Sequence, residues 1–174
     1  MNVFIIAAMS ADGFIGYDAS HRSLDWRSKA DAQFFIEKTK EAGVMVMGST
    51  TFHTFKMKRT PPGRRLIVYS SKPESIVGEG VETTNEDPKL LIERLEREGA
   101  PGVAICGGAT IDKLFLDNEL VDELFLTVEP VLFGAGIPLF SGDVRARLNL
   151  IEFRQLSDDT ILLHYAVRRG EAAA

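Results

Sequence analysis

Four short apolar segments constrain the fold of this chain more than any other feature. They occupy residues 3–8, 44–47, 66–69 and 103–106, and predicted helices lie between them. Short apolar runs bounded by turn residues are typical of buried strands, and strands that alternate with helices favour a parallel sheet. Residues 148–154 and 160–168 predict a terminal antiparallel hairpin. We therefore predict a three-layer α/β fold, with a mixed, mostly parallel central sheet and helices on both faces.

The length and charge of the chain limit its function. With 174 residues, 45% of them hydrophobic, we expect a single domain over residues 1–170 and a disordered tail at 171–174. The net charge of -5, without a basic stripe, argues against nucleic acid and anionic membranes. No basic leader or bilayer-length apolar run is present, so we expect a cytoplasmic protein. The lone Cys106 and three scattered histidines predict no metal site. A small molecule is the expected partner.

Asp31 is the candidate catalytic acid. Ser28 followed by Asp31 resembles a capping box, which predicts a helix that starts at Ser28 and stops at Gly43. Helical spacing puts Asp31 on one face with Phe34 and Phe35. A carboxylate buried beside aromatic rings has a raised pKa, which suits proton chemistry or the binding of an amidine-like ring. The alternative is that Asp31 only caps the helix and favours its dipole.

Several junctions after predicted strands are rich in glycine or hydroxyl groups. Such junctions bind phosphates, because glycine lets the ligand approach the backbone and helix N-termini present free N–H groups. The double glycine is not the dinucleotide fingerprint with three glycines, so a standard Rossmann unit is disfavoured. Residues 70–72 are equally compatible with a plain polar turn, and residues 10–26 with either a lid or a solvated loop. The junctions are Gly48 to Thr51, Ser70 to Lys72 and Gly107 to Thr110.

The order of these motifs resembles the dihydrofolate reductase superfamily. The resemblance implies a reductase in which hydride passes from NADPH to a dihydropterin, first of all dihydrofolate. It also implies a cis bond between the paired glycines. The matching segments are Ile6-Ala7-Ala8, Asp12 with Ile15-Gly16, Trp26 followed by Asp31, Val46 to Phe52, Pro62 to Arg65, Ile105 to Ala109, and Leu126-Thr127.

The resemblance further implies a role for each site residue. Asp31 would hold the pterin ring and help a water deliver the proton, Thr127 would bridge this carboxylate to the ligand, and Trp26 would belong to the lid. Arg64 would bind the carboxylate of the glutamate tail. The other substrate-binding residues would be Ile6, Ala8, Phe35 and Phe52. The cofactor-binding residues would be Ala8, Ile15, Gly16, Gly48, Ser49, Thr50, Thr51, Ser70, Ser71, Lys72, Ile105, Gly107, Gly108, Ala109 and Thr110.

The sequence departs from the typical enzymes at three places, one of which is a lid about three residues longer than in the common bacterial form. Ser49 replaces an arginine that recognises the 2'-phosphate of NADPH, which leaves Lys72 or Arg65 as substitutes and the preference over NADH open. Residues 120–140 are closer to the riboflavin-pathway reductases, which reduce the ribose of a phosphoribosylamino-pyrimidine. That reaction is the alternative function. A non-catalytic nucleotide-binding module is the alternative of another class, and either a monomer or a homodimer fits.

Overall fold

The computed structural model describes residues 1–168 and 170 and has four α-helices and ten strands in that part of the chain. The helices are α1 (Lys29–Ala42), α2 (Ser49–Thr54), α3 (Pro88–Arg97) and α4 (Ala109–Asp117). The strands are β1 (Asn2–Ser10), β2 (Phe14–Gly16), β3 (Gly43–Gly48), β4 (Arg65–Tyr69), β5 (Val81–Thr84), β6 (Gly102–Ile105), β7 (Glu123–Glu129), β8 (Ile137–Pro138), β9 (Arg147–Gln155) and β10 (Ile161–Arg168).

Eight strands form the central sheet in the order β5-β4-β3-β6-β1-β7-β10-β9. The strands from β5 to β7 are parallel, whereas β10 runs antiparallel to β7 and β9 antiparallel to β10. The predicted mixed sheet with its C-terminal hairpin is therefore confirmed. A second, two-stranded sheet pairs β2 with β8 and was not predicted. It joins the loop after β1 to the glycine-rich segment after β7.

Helices cover both faces of the sheet. Successive side chains of a strand point to opposite faces, and β1 shows this alternation clearly. Val3 and Ile5 belong to a buried cluster that includes residues of α3 and α4. Phe4 and Ile6 belong to a second cluster, which includes Phe34 of α1. The three-layer prediction is thus confirmed.

The start of α1 is fixed by a side-chain cap. Ser28 precedes the helix in an extended conformation, and its hydroxyl accepts a hydrogen bond from the Asp31 backbone N–H at 3.0 Å. Gly43 ends the helix with a left-handed φ of 72°, a conformation that favours glycine. The predicted cap at Ser28 and stop at Gly43 are confirmed, and the helix itself begins one residue later than predicted, at Lys29. Because Asp31 lies in the first turn of α1, the position at which the helix starts determines where its carboxylate lies.

Four further expectations concern the tail, the number of domains, membrane-spanning helices and metal sites. The predicted tail at 171–174 lies outside the described residues, and the single-domain assignment stays a prediction. Within residues 1–168 and 170, no helix is both long and apolar enough to cross a bilayer. The same residues contain no group of three or more acidic, histidine or cysteine side chains arranged to hold a metal ion.

Candidate active site

A cavity of about 700 Å³ opens at the carboxyl ends of β1, β3, β4 and β6. In open α/β sheets this edge is the usual place for a ligand. One wall is formed by residues at the start of α1, and the facing wall by the junctions that lead into α2 and α4. Residues of the loop after β1, including Ile15 and His21, contribute to the rim.

Asp31 is buried at one wall of this cavity, with 3% of its surface exposed. Its Oδ1 accepts a hydrogen bond from the Thr127 hydroxyl at 2.5 Å, and its Oδ2 pairs with Arg27 Nη1 at 3.2 Å. Burial raises the pKa of the Asp31 carboxyl above its ordinary value, although the contacts with Thr127 and Arg27 act in the opposite direction. Glu129 adds a smaller like-charge effect that also raises this pKa. The carboxyl therefore holds a proton more readily than an exposed aspartate.

Contacts between distant parts of the chain hold this carboxyl in place. The Ser28 hydroxyl, which accepts from the Asp31 N–H, also donates to Glu129 Oε1 at 2.9 Å. Glu129, at the end of β7, is only 1% exposed and accepts a second hydrogen bond from Thr160 at 3.1 Å. Thr127, two residues earlier on β7, reaches Asp31 itself. The first turn of α1 is thus tied to the ends of β7 and β10.

Arg27 is a site residue that sequence reasoning missed. It lines the cavity, its side chain is 14% exposed, and its guanidinium lies 5.6 Å from the centre of the Phe35 ring. Within the described part of the chain, its Nε and Nη2 atoms have no hydrogen-bond partner. The four-residue spacing from Asp31 was the available sequence signal. The site therefore presents a hydrogen-bond acceptor and free donors side by side.

The facing wall is shaped by glycines. The Gly107–Gly108 peptide bond is cis, and Gly108 precedes α4 as an N-cap residue that offers no side-chain cap. A Cβ on Gly108 would lie 3.2 Å from Thr51 Oγ1, and a Cβ on Gly48 would lie 3.0 Å from Ile111 Cγ1. Glycine at both positions lets α2 and α4 approach each other, and the free N–H groups at the start of α4 suit an anion. This wall can therefore accept an anionic group.

The cavity brings together most of the predicted site residues, although their binding roles stay predictions. Those that line it are Ile6, Ala8, Ile15, Asp31, Phe35, Gly48, Ser49, Thr50, Thr51, Arg64, Gly107, Gly108, Ala109 and Thr110. Those outside its lining are Gly16, Trp26, Phe52, Ser70, Ser71, Lys72, Ile105 and Thr127. Thr127 still reaches the site through its hydrogen bond to Asp31.

The residues outside the lining are placed there by local packing. Phe52 and Ile105 are 2% and 0% exposed and belong to the core, because α2 and β6 turn them inward. Trp26 packs edge-on against Phe133, with ring centres 5.2 Å apart. The Ser70 hydroxyl accepts from the Lys72 N–H at 3.0 Å, which is the geometry of a plain polar turn.

Arg64 lines the cavity and is held there by neighbouring oxygens. Its Nη1 donates to Thr39 Oγ1 at 2.9 Å, and its Nε donates to the Pro62 carbonyl at 3.3 Å. These contacts orient the guanidinium without pairing it to an acid. Arg64 is therefore available to bind an anionic group of a ligand.

The other lining residues that were missed include Tyr69, Cys106 and Asp112. Tyr69 and Cys106 end apolar strands, where the sequence gives no sign that a side chain faces a cavity. Asp112 lies in the first turn of α4 and is 1% exposed. An acid in a helix of mostly apolar residues was the signal that could have found it.

Comparison with known proteins gives a consistent assignment. The model of the RibD C-terminal domain family matches residues 2–162. The uncharacterized protein YwjB of Bacillus subtilis is 29% identical over 140 residues, which cover 76% of this chain and 79% of YwjB.

Two solved structures share the fold. A diaminohydroxyphosphoribosylaminopyrimidine deaminase/5-amino-6-(5-phosphoribosylamino)uracil reductase from Thermotoga maritima superposes with a TM-score of 0.76 at 18% identity, over 96% of this chain and 56% of that chain. Dihydrofolate reductase from Enterococcus faecalis, complexed with NADP(H) and RAB-propyl, superposes with a TM-score of 0.71 at 22% identity, over 96% of both chains. The predicted dihydrofolate reductase-like fold is confirmed.

Proposed function

Because the chain belongs to the RibD C-terminal domain family, we propose that it is a reductase that uses a nicotinamide dinucleotide, in the first instance NADPH, to reduce a small pterin- or pyrimidine-containing molecule. The observation that carries this proposal is the buried pair of Asp31 and Thr127. Asp31 lines the same cavity as Arg27 and the paired glycines. When bound, the cofactor supplies the hydride. The protein supplies the binding surface and controls one proton.

In this proposal Asp31 binds the polar edge of the substrate ring and helps a water deliver the proton that the reduction consumes. A carboxyl with a raised pKa is suited to general acid catalysis near neutral pH. Thr127 fixes the orientation of the carboxyl through its short hydrogen bond. Phe35, Met45 and Met47 line the same cavity and keep water away from the reacting atoms.

Dihydrofolate is the first candidate substrate. Its ring carries an amino group beside a ring N–H, and both can donate to a carboxylate such as Asp31. Its glutamate tail ends in carboxylates, which Arg64 is placed to bind. The geometry of Asp31, Thr127 and Arg64 supports this candidate.

A phosphoribosylamino-pyrimidine is the second candidate, and Arg27 favours it. An oxo-pyrimidine presents a ring N–H next to a carbonyl, which complements an acceptor on Asp31 and a free donor on Arg27. The Thermotoga protein with the same fold is named for reduction of such a uracil derivative. On this evidence the riboflavin-precursor reaction fits at least as well as dihydrofolate reduction.

The test is a matrix of two cofactors and two substrates. Purified protein is mixed with NADPH or NADH and with dihydrofolate or the phosphoribosylamino-pyrimidine, and the near-ultraviolet absorbance of the reduced cofactor is followed. Loss of absorbance with one substrate identifies the reaction, and the cofactor comparison shows what Ser49 does to the preference. D31N serves as the inactive control. Cofactor binding without turnover of either substrate would support the nucleotide-binding module.

A further inference from the structure

Asp112 is a buried carboxyl to which the proposed reaction assigns no role. It lies in the first turn of α4, lines the cavity and is 1% exposed. Its Oδ1 is shielded from solvent and has no hydrogen-bond partner among the described residues. No cation within the described residues forms an ion pair with it. A buried polar atom left without a partner is rare in folded proteins and requires an explanation.

Asp112 lies beside the junction between β6 and α4, which contains the paired glycines. A Cβ built on Gly107 would lie 3.7 Å from Asp112 Oδ2, so the carboxyl sits against the first of the paired glycines. The residue before Gly107 is Cys106. Burial raises the pKa of its thiol, and the charge of Asp112 raises it further. Cys106 packs against the same core clusters as Phe35, which lines the substrate wall. In the proposed function, a dinucleotide that reached from the start of α4 to Asp31 would pass this junction.

The charged and titratable groups around Asp112 leave its own charge uncompensated. On β6 the neighbour is the Cys106 thiol, and β3 has no titratable side chain. On β4, Tyr69 is buried, and burial raises the pKa of its hydroxyl. Within α4, Lys113 pairs with Asp117 at 2.8 Å and not with Asp112. Burial accordingly raises the pKa of Asp112 well above its ordinary value, opposed only by the Gly107 N–H.

We propose that Asp112 senses the redox state of the cofactor: it keeps its proton while the site holds the uncharged reduced nicotinamide and releases the proton to water when the site holds the positively charged oxidised nicotinamide. An ionised carboxyl in an apolar wall gains a counter-charge from the oxidised ring and gains none from the reduced ring. This inference rests on the proposed use of a nicotinamide cofactor. It assigns to Asp112 a role that Asp31 does not fill.

The proposal has a thermodynamic consequence that does not depend on turnover. If NADP⁺ binds only to protein in which Asp112 is ionised, the dissociation constant of NADP⁺ falls by about tenfold for each unit by which the pH rises, as long as Asp112 of the free protein is protonated. The dissociation constant of the reduced form does not change in this way. Because NADP⁺ and NADPH carry the same 2'-phosphate, titration of that phosphate affects both forms, and the difference between them isolates the ring.

The experiment measures binding of NADP⁺ and NADPH to the full chain from acidic to mildly alkaline pH, by isothermal titration calorimetry in two buffers of different ionisation enthalpy. We expect release of about one proton with NADP⁺ and about none with NADPH in the range where Asp112 of the free protein is protonated. D112N should abolish the difference while still binding both forms. D117N changes an exposed aspartate of the same helix and should behave like the wild type.

The outcomes separate this inference from the proposed function. If neither NADP⁺ nor NADPH binds, the proposed use of a nicotinamide cofactor fails. If both bind to the wild type with equal proton release, Asp112 does not sense the ring and the inference is overturned, whether or not D112N folds. D31N tests the other carboxyl of the cavity: the proton release should survive in D31N, and its loss there would assign the effect to Asp31.

Discussion

The ion pair between Arg27 and Asp31 makes a specific prediction about ligand charge. A protonated 2,4-diaminopyrimidine is a flat cation that binds a carboxylate through its amidine edge. In the wild type, Arg27 already pairs with Asp31 Oδ2 at 3.2 Å and places a positive charge where this ligand would bring a second one. R27M removes the charge and keeps an apolar chain of similar length over the Phe35 ring. We expect R27M to bind the cationic ligand more tightly.

The size of the effect follows from the geometry. Two unit charges 3.2 Å apart interact by about 5 kcal/mol at an effective dielectric constant of ~20. Desolvation of both groups offsets much of this energy, and the 14% exposure of Arg27 lets solvent screen part of the rest. We expect about 1–3 kcal/mol to remain, which corresponds to roughly 10- to 100-fold in affinity.

Isothermal titration calorimetry with the diaminopyrimidine at neutral pH measures this change, with an uncharged pyrimidine of similar size as the second ligand. R22M is the matched control, because Arg22 pairs with Asp25 at 2.8 Å on the surface and an exposed pair contributes only about 0–1 kcal/mol. R27M should also unfold at a lower temperature than the wild type, since Asp31 loses its counter-charge. An affinity of R27M within about twofold of the wild type would refute the reasoning that Arg27 competes for Asp31.

Three further predictions test the site. D31N should lower hydride transfer by about 10²–10⁴-fold, measured in single turnovers. Folding raises the pKa of the Asp31 carboxyl, so this carboxyl stabilises the folded state while it is protonated, and that stabilisation is lost as pH rises from the unfolded pKa through the folded one. The melting temperature of D31N should therefore exceed that of the wild type at neutral pH, and the difference should vanish in acid. S28A removes the α1 cap and a hydrogen-bond partner of Glu129, so we expect the free energy of unfolding to fall by about 0.5–2 kcal/mol. Thermal or urea unfolding followed by circular dichroism measures this change, and unchanged stability would refute the role of the cap. R64A should weaken dihydrofolate by roughly 10- to 100-fold and leave a tail-less pterin unaffected, whereas equal loss for both would contradict the assigned contact.

Much of the fold could be predicted because its signals are local. Apolar runs identified β1, β3, β4 and β6, and the cap at Ser28 with the stop at Gly43 identified α1. The pairing of β2 with β8 was missed, because strands of three and two residues carry no usable periodicity. The order of the strands in the sheet depends on contacts between distant residues, and the sequence indicated it only through the resemblance to a known superfamily.

The candidate site was predicted less completely, for a physical reason. Asp31 was found because an acid stands between aromatic residues in a capping motif. Its neighbours Arg27, Thr127 and Glu129 are brought near it by the sheet and the start of α1, and of these only Thr127 was expected, through the resemblance. Phe52 was expected in the cavity and lies in the core, because the six-residue α2 turns it inward. A motif predicts the type of residue near a site better than the direction of its side chain.

Three buried carboxyls near the site are compensated to different degrees, and this links ligand binding to stability. Glu129 is held by two hydroxyl groups and Asp31 by a hydroxyl and a guanidinium, whereas Asp112 has only the Gly107 N–H. Burial raises the pKa values of Asp31 and Asp112, so both favour the folded state in their protonated form and oppose it once ionised. A ligand that brings positive charge or hydrogen-bond donors to these acids removes that penalty. Stabilisation by such a ligand should therefore grow as pH rises, whereas binding through Arg27 and Arg64 alone would add no such dependence, because guanidinium groups stay charged over this range.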